Sequence, residues 1–288
     1  NCPTNDNNEI TDDFRIKSTM KTILKIILDR PNRIIICTHF GRPKNKEDKY
    51  TTKVFIPYLQ KYLEQNICFL ENGLDTTEAE ITNKQFLFET GESPIYLMEN
   101  ARFHDYETNN LKTKMIYLNT DIYCNEAFSC SHRNHKSITG IPFKTKCYGY
   151  CFMKEIESLD IITKSYNCNI LAIIGGSKME DKIPMLRELS KQVSYIYITG
   201  NNINSKDIYM DFFNEIKQNK AEIIFTEDGF LKTDNKIEYC KNIQNEKKIC
   251  DVGPCSMNTL TKYIGNSQVI FWNGTLGITE DDFFKNGY

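Results

Sequence analysis

The sequence predicts an α/β protein with two doubly wound parallel-sheet domains joined by a helix. Its 288 residues exceed the usual size of one domain. Eight short apolar runs, rich in Ile, Tyr and Phe and without polar alternation, are typical of strands buried on both faces of a parallel sheet. Segments with apolar residues at helical spacing separate several of these runs. A repeated strand, helix, strand order is the pattern of the α/β class.

The predicted elements follow from these runs. The predicted strands are 33–39, 67–72, 95–100, 121–128, 170–176, 195–199, 222–226 and 268–274. The predicted helices are 51–65, 178–192 and 205–218. A further helical stretch follows a loop and precedes a new strand, so we predict an inter-domain helix at 148–165 between domains at 1–147 and 166–288.

Composition excludes several classes of function. The 36 basic and 38 acidic side chains leave a net charge of -2, so we expect no nucleic-acid or membrane partner. The apolar runs are far shorter than the ~20 residues of a membrane span. Eleven cysteines without a C-x-x-C pair fit a reduced, cytoplasmic protein, which we expect to be monomeric. The chain starts without Met and has no secretory signal, so we expect it to begin inside a longer natural sequence.

Polar motifs follow five of the predicted strands. They read THFGRP, ENARFH, NEAFSCSHRNH, GGSKMEDK and WNGTLGITE. Because ligands of open parallel sheets bind beyond the carboxyl ends of the strands, we expect these motifs to form the functional sites.

Arginine and histidine are concentrated in the motifs of the first half. Only seven of the 36 basic residues are arginine, and four of them lie in or beside these motifs: Arg15, Arg42, Arg102 and Arg133. All four histidines are there too: His39, His104, His132 and His135. A single arginine is more often a surface residue, but the group favours a pocket for a small, highly anionic substrate. Two histidines without a third ligand do not indicate a metal, so none is predicted.

The motif GGSKMEDK indicates a phosphate site in the second half. It leaves a buried strand and is predicted to open a helix, with Lys178 and Lys182 spaced i, i+4 on one face. It matches neither the Walker A loop nor G-x-G-x-x-G, which also argues against a Rossmann dehydrogenase. A glycine turn followed by a solvated lysine face explains the motif about equally well.

Taken together, the motifs resemble the phosphoglycerate kinase family over nearly the whole chain and in the same order. The matching segments are NCP with RIK, THFGRP, LMENARFH, YCNEAFSCSHRNHKS, GYCFMKEIESL, AIIGGSKMEDKI, DVGPCS, VIFWNGTLGITE and FFKNG. The resemblance implies two α/β domains and reversible transfer of a phosphoryl group between 1,3-bisphosphoglycerate and Mg-ADP, giving 3-phosphoglycerate and ATP in glycolysis. The carboxyl group would be the acceptor, and hinge closure would exclude water before in-line transfer.

The resemblance also implies which residues bind each substrate. In the first domain, phosphoglycerate would contact Asn1, Arg15, His39, Phe40, Gly41, Arg42, Arg102 and Arg133. In the second, ATP or ADP would contact Gly175, Gly176, Ser177, Lys178, Lys182, Asn273 and Glu280. Arg15, Lys178 and Lys182 would be catalytic, with Arg15 and Lys182 facing each other across the cleft. The Mg²⁺ that accompanies ATP or ADP would be bound by an aspartate beyond the end of this chain.

Departures from the family pattern lie in the second domain. The segment 198–203 replaces a glycine-rich turn with a sequence containing Asn201 and Asn202, Ile249 replaces a glycine, and Thr275 replaces a proline. These residues are expected to narrow the nucleotide site, so glycine at position 249 should tighten ADP binding. The alternative interpretation is a non-catalytic relative that keeps the anion pocket as a binding or regulatory protein.

Overall fold

The chain forms two compact units, residues 1–157 and 158–288, in a computed structural model. The structure describes residues 2–5, 7–88, 93–109, 120–140, 143, 145–164, 168–176, 178–200, 208–233, 236–243, 249–278, 281 and 284. The boundary between the first unit and the second unit falls within one helix, α6 (Tyr150–Lys164). This helix lies in the segment predicted as the inter-domain helix.

The first unit is built on parallel strands. Its strands are β1 (Ile34–Ile36), β2 (Ile67–Leu70), β3 (Ile95–Met98), β4 (Ile122–Asn125) and β5 (Thr145–Tyr148). Its helices before α6 are α1 (Phe14–Leu28), α2 (Ile56–Leu63), α3 (Glu78–Lys84), α4 (Asp105–Thr108) and α5 (Lys136–Thr139). One parallel sheet has the order β1-β3-β2, and a separate parallel pair joins β4 to β5.

The central strand β3 is apolar at every position because both of its faces are buried. Ile95 and Leu97 pack into a core with residues of α1 and α2. Tyr96 and Met98 point the other way, into a second core that includes residues of α3 and α4. Because successive side chains of a strand point to opposite faces, a strand covered by helices on both sides needs apolar residues at every position.

The second unit repeats this architecture. Its strands are β6 (Ile170–Ile174), β7 (Tyr195–Ile198), β8 (Glu222–Phe225), β9 (Gly229–Thr233), β10 (Lys236–Cys240), β11 (Ile249–Val252) and β12 (Val269–Asn273). Its helices after α6 are α7 (Ile183–Leu189), α8 (Met210–Ile216) and α9 (Pro254–Gly265). The main sheet is parallel in the order β12-β6-β7-β8, and β6 again divides its side chains between two cores.

The prediction of α/β class is confirmed, and each of the eight predicted strand segments contains a strand. Four strands were not predicted. They are β5 and the three strands of an antiparallel sheet in the order β10-β9-β11. Four of the five residues of β10, and all four of β5, are exposed, so these strands lack the unbroken apolar run on which the prediction relied. Within the described part of the chain, no helix is both long and apolar enough to cross a bilayer.

Candidate functional site

The loop that follows β1 is fixed by a buried aromatic residue and a glycine. Phe40 packs edge-on against Phe55, with ring centroids 5.3 Å apart, so its side chain belongs to the core rather than to a binding surface. Gly41 adopts a φ of 62°, and a Cβ there would lie 2.4 Å from the Tyr50 ring. The loop therefore turns sharply after Phe40 and presents Arg42 at the surface.

A buried amide joins this loop to the segment after β3. Asn100 is 0% exposed. Its Oδ1 accepts the backbone N–H groups of Phe40 (3.2 Å) and Arg102 (3.1 Å), and its Nδ2 donates to the carbonyls of Phe40 (2.7 Å) and Tyr50 (2.8 Å). All its hydrogen-bonding capacity goes to backbone, so Asn100 holds two motif loops in one arrangement.

Three guanidinium groups surround one cavity in the first unit. The cavity has a volume of about 400 Å³ and is lined by Arg42, Pro43, Arg102, Thr108, Arg133 and His135. We call it the arginine cavity. Arg102 donates from Nη1 to the Gly41 carbonyl (2.6 Å), and Arg133 follows a 3₁₀ turn after β4. The carboxyl ends of two parallel strand pairs thus bring three of the predicted arginines together.

The arginine cavity is strongly positive. No carboxylate is among its lining residues in the part of the chain that the structure describes. Burial lowers the pKa of Arg102, and the charges of Arg133 and Arg42 lower it further. Burial, together with the charge of Arg102, lowers the pKa of His39 to about 4. His39 is therefore neutral at pH 7, and the unfavourable concentration of positive charge would be relieved by an anion.

Other residues predicted for this site are placed differently. Arg15 is exposed on α1, whose Ile16 and Met20 enter the core, and it does not line the arginine cavity. His39 lies close enough to Arg102 for their charges to interact but is not a lining residue. Asn1 lies outside the described residues.

Backbone segments cross closely at the ends of β6 and β12 in the second unit. The Gly175 N–H donates to the Asn273 carbonyl (2.8 Å), and the Gly176 N–H donates to the Thr275 carbonyl (2.9 Å). A Cβ on Gly175 would lie 2.1 Å from the Thr275 oxygen, and Gly274 adopts a φ of 88°. A side chain does not fit at Gly175 or Gly274 of this crossing, which we call the glycine crossing.

A second cavity of about 400 Å³ lies beside the glycine crossing. It is lined by Gly176, Lys178, Asp181, Lys182, Met185 and Asn273. We call it the lysine cavity. The Lys182 ammonium donates to Asn273 Oδ1 (2.7 Å), and burial lowers the pKa of Lys182. Two lysines, a carboxamide and one carboxylate, that of Asp181, thus line one space.

The predicted helix at 178–192 begins later than expected. Residues Glu180–Lys182 form a 3₁₀ turn, and α7 begins at Ile183. Pro184 has no N–H for the Glu180 carbonyl, and its ring would clash with that carbonyl in a longer α-helix. Lys178 therefore precedes the helix, so the expectation that both lysines lie on one face of its first turn is wrong, although both line the lysine cavity.

The residues that depart from the family pattern lie in different parts of the second unit. Ile249 is 2% exposed in β11 and packs against Leu231, so its side chain is core and does not line the lysine cavity. The expectation that it narrows the nucleotide site thus finds no support in the lining of this cavity. Thr275 is exposed, and its carbonyl takes part in the glycine crossing. Ser177, Asn201, Asn202 and Glu280 lie outside the described residues.

Sequence reasoning missed several lining residues. His135 and Thr108 line the arginine cavity, and Met185 and Asp181 line the lysine cavity. The grouping of all four histidines in the first half is a signal for His135. Asp181 lies within GGSKMEDK but is not among the residues predicted from it, and Thr108 and Met185 lie outside the motifs.

Comparisons with known proteins point to one family. The sequence profile described as "Phosphoglycerate kinase" matches residues 1–288. Phosphoglycerate kinase from Helicobacter pylori (strain ATCC 700392 / 26695) is 29% identical over 318 residues, covering 100% of this chain and 77% of the relative. The relative named "Phosphoglycerate kinase 3, cytosolic", from Arabidopsis thaliana, is 27% identical over 315 residues, covering 100% and 77%.

Solved structures show the same relationship. Phosphoglycerate kinase from Coxiella burnetii superposes with a TM-score of 0.77 and 25% identity, covering 100% of this chain and 78% of that chain. The enzyme from Pyrococcus horikoshii OT3, at 21% identity, shares the fold with a TM-score of 0.75 and coverage of 100% and 79%. With the family profile matched from the first residue to the last, the chain belongs to the phosphoglycerate kinase family.

Proposed function

We propose that this protein catalyses reversible phosphoryl transfer between ATP and 3-phosphoglycerate, the glycolytic reaction of its family. The observation that carries the proposal is the arginine cavity, where Arg42, Arg102 and Arg133 converge without a compensating carboxylate among the described lining residues. Family membership supports a kinase. Location in the cytoplasm and a monomeric state remain predictions.

The arginine cavity suits a phosphoglycerate. The ligand carries a phosphate and a carboxylate at its two ends, and guanidinium groups bind both in bidentate fashion. Arg102 uses one of its five N–H groups on Gly41, which fixes the direction of the others. Arg15 and His39 would complete this site as the resemblance implies.

The lysine cavity suits the phosphates of a nucleotide. Gly176 of the glycine crossing lines the lysine cavity, and Lys178 and Lys182 add positive charge beside it. The Asn273 carboxamide holds the Lys182 ammonium in place. We propose that the Lys182 ammonium stays in contact with the phosphoryl group during transfer, and that Lys178 contacts the neighbouring phosphate oxygens.

The proposed reaction needs no nucleophile from the protein. A carboxylate oxygen of 3-phosphoglycerate forms a bond to the γ-phosphorus of ATP, and the bond from that phosphorus to the β–γ bridging oxygen breaks, so ADP leaves with the electron pair. Charge spreads over the transferring group in the transition state, so the contribution of Arg15, Lys178 and Lys182 is alignment and positive charge. Hinge closure before transfer remains a prediction.

Mg²⁺ bound with the nucleotide remains part of the proposal. A magnesium site in a kinase uses one or two carboxylates together with substrate phosphates. Over the described residues, however, no group of three or more His, Cys, Asp or Glu side chains can hold a metal, and Asp181 is the one carboxylate of the lysine cavity.

A coupled assay of the full-length protein tests the proposal. With 3-phosphoglycerate and Mg-ATP, we expect ADP to form at a rate that depends on both substrates. Glycerate, which has the carboxylate but no phosphate, is the matched control. It should react far more slowly because it lacks the phosphate that the arginines of the cavity would bind. Binding of 3-phosphoglycerate without turnover would instead support the binding-protein alternative, which no contact in the described residues favours.

A further inference from the structure

Glu107 is a buried carboxylate beside the arginine cavity that the proposed reaction does not use. It is 2% exposed on α4, and the next residue, Thr108, lines the cavity. Its carboxylate accepts two hydrogen bonds from Ser137, one from the backbone N–H (2.9 Å) and one from the hydroxyl (2.6 Å). These contacts hold the carboxylate in a fixed position between α4 and α5.

His135 links this carboxylate to the cavity. Its Nδ1 lies 3.5 Å from Glu107 Oε1, and the same side chain lines the arginine cavity. Among the described residues, the other groups whose charges act on it are positive or become positive when protonated: Arg102, Arg133, His132 and His39. Burial lowers the pKa of His135, and the charges of Arg102 and Arg133 lower it further, so the imidazole is neutral at pH 7 without a ligand.

The position of Glu107 selects one tautomer of the neutral imidazole. A nitrogen that faces a carboxylate carries the proton, so Nδ1 is the donor and Nε2, on the opposite edge of the ring, has a lone pair. A lone pair repels the oxygen of a bound anion. An anion in the cavity therefore favours the imidazolium, in which Nε2 also carries a proton and can donate.

We propose that Glu107 is a positioning residue, which holds His135 so that the imidazole takes up one proton from solvent when a phosphoglycerate binds. The proposal rests on the proposed function, because it takes phosphoglycerate as the anion. In this step, neutral His135 gains a proton from solvent on Nε2 and keeps the proton on Nδ1. No other bond changes. The complex binds more protons than the free protein, so the affinity falls as the pH rises through the pKa of His135 in the complex.

Calorimetric titration of the full-length protein with 3-phosphoglycerate tests this inference. The titration is repeated near pH 6.5 in two buffers with different ionisation enthalpies, which gives the number of protons taken up. We expect roughly 0.5 proton or more per ligand for the wild type, the amount for a histidine whose titration range is shifted across the working pH. The phosphate of the ligand titrates in the same range, so the wild type is compared with variants under identical conditions.

Glu107→Gln is the decisive variant. Its amide donates to Nδ1 of His135, which places the proton on Nε2 before the anion arrives, so binding should persist while the additional proton uptake is lost. His135→Asn should also lose the uptake, and it decides the question if Glu107→Gln does not fold. Glu99→Gln is the matched control, because Glu99 is a buried carboxylate of the same unit that bonds Thr51, Thr52 and Asn100 rather than a histidine, and it should keep the uptake.

The outcomes separate the two proposals. A wild type that binds no 3-phosphoglycerate overturns the proposed function together with this inference. A wild type that binds without proton uptake beyond that of Glu107→Gln overturns the inference alone. Unchanged uptake in His135→Asn would assign the proton to another group, such as Glu107 itself, and would also overturn it.

Discussion

At the residue scale, the main feature is the repulsion among three positive charges around one small cavity. This repulsion raises the free energy of the unliganded protein. At Arg102, burial and the charges of Arg133 and Arg42 lower the pKa of the guanidinium group. Such a site gains more from an anion than an isolated surface arginine does, since binding relieves repulsion as well as forming hydrogen bonds. The arginines are therefore expected to contribute to affinity rather than to stability.

Removing one arginine should weaken anion binding. Arg42→Ala and Arg133→Ala should each lower the affinity for 3-phosphoglycerate by roughly 1.5–3 kcal/mol, the scale for losing a hydrogen bond to a charged group, with no fall in Tm. Calorimetric titration measures the affinity. Arg187→Ala is the control, because Arg187 pairs with Glu215 on the surface of the second unit. Unchanged affinity in both test variants would make these arginines ordinary surface residues.

Lys182 should contribute mainly to turnover. Lys182→Ala is expected to lower kcat at least ~100-fold, the usual loss when a preorganised charge at the transition state is deleted, while KM for 3-phosphoglycerate changes little. Steady-state kinetics of the full-length protein give both constants. Lys191→Ala removes an exposed lysine that pairs with Glu188 and should leave kcat unchanged. A Lys182→Ala protein that folds normally and keeps the wild-type kcat would exclude the catalytic role.

The sequence predicted the charged residues of both cavities better than their surroundings. Arg42, Arg102, Arg133, Lys178 and Lys182 were identified because motif residues follow buried strands. Burial could not be predicted in the same way. The His135 and Glu107 contact joins α4 to α5 across residues far apart in the chain, and only folding brings them together.

At the scale of elements, the anion site depends on loops that are held by one buried side chain. The loop after β1 and the 3₁₀ turn Ala101–Phe103 after β3 both bond to Asn100. The parallel pairing of β1 with β3 brings the two loops to the same edge of the sheet. Asn100 then sets the position of one loop relative to the other.

Asn100→Ala should damage stability and binding together. It leaves the backbone groups of Phe40 and Tyr50 without their partner, so we expect a loss of roughly 2–4 kcal/mol in the free energy of unfolding. The affinity for 3-phosphoglycerate should also fall, because the Arg102 turn loses its cap. Urea denaturation and calorimetry measure the two effects. Asn45→Ala, an exposed change in the same unit, should alter neither, and a stable Asn100→Ala protein with normal affinity would contradict the role.

The antiparallel sheet shows why some elements escape prediction at this scale. β10 is exposed at four of its five residues, whereas β11 is buried at all four, including the polar Asp251. Neither strand has the unbroken apolar run that predicts a strand of a parallel sheet, and strands of four or five residues give an alternating pattern too few positions to stand out. β3 and β6 were predictable because burial at every position leaves an unbroken apolar run.

At the scale of the whole molecule, each unit has its own hydrophobic cores. Ile249 is buried in the second unit and Leu59 in the first. The sequence has one tryptophan, Trp272, which lies on β12 in the second unit with 46% exposure. Its fluorescence therefore reports on one unit, whereas circular dichroism reports on the helices of both.

Ile249→Ala should destabilise the second unit selectively. The lost contacts and the remaining cavity should cost about 2–4 kcal/mol, so the urea midpoint of Trp272 fluorescence should fall. Ile237→Ala, in the same sheet but exposed, should shift it far less. Leu59→Ala should lower the dichroism midpoint of the first unit and leave the Trp272 midpoint nearly unchanged. Equal shifts of the Trp272 signal by Leu59→Ala and Ile249→Ala would mean that the chain unfolds as one cooperative unit.

The glycine crossing also limits which single-codon changes the gene can tolerate. An added Cβ would lie 2.1 Å from a backbone oxygen at Gly175 and 2.4 Å from one at Gly274, and backbone has no rotamer with which to move away. At Gly265 the same atom meets nothing within 4 Å. In a selected library of random variants, alanine should be depleted at positions 175 and 274 and retained at 265. Equal recovery at all three positions would show that the crossing can open without loss of function.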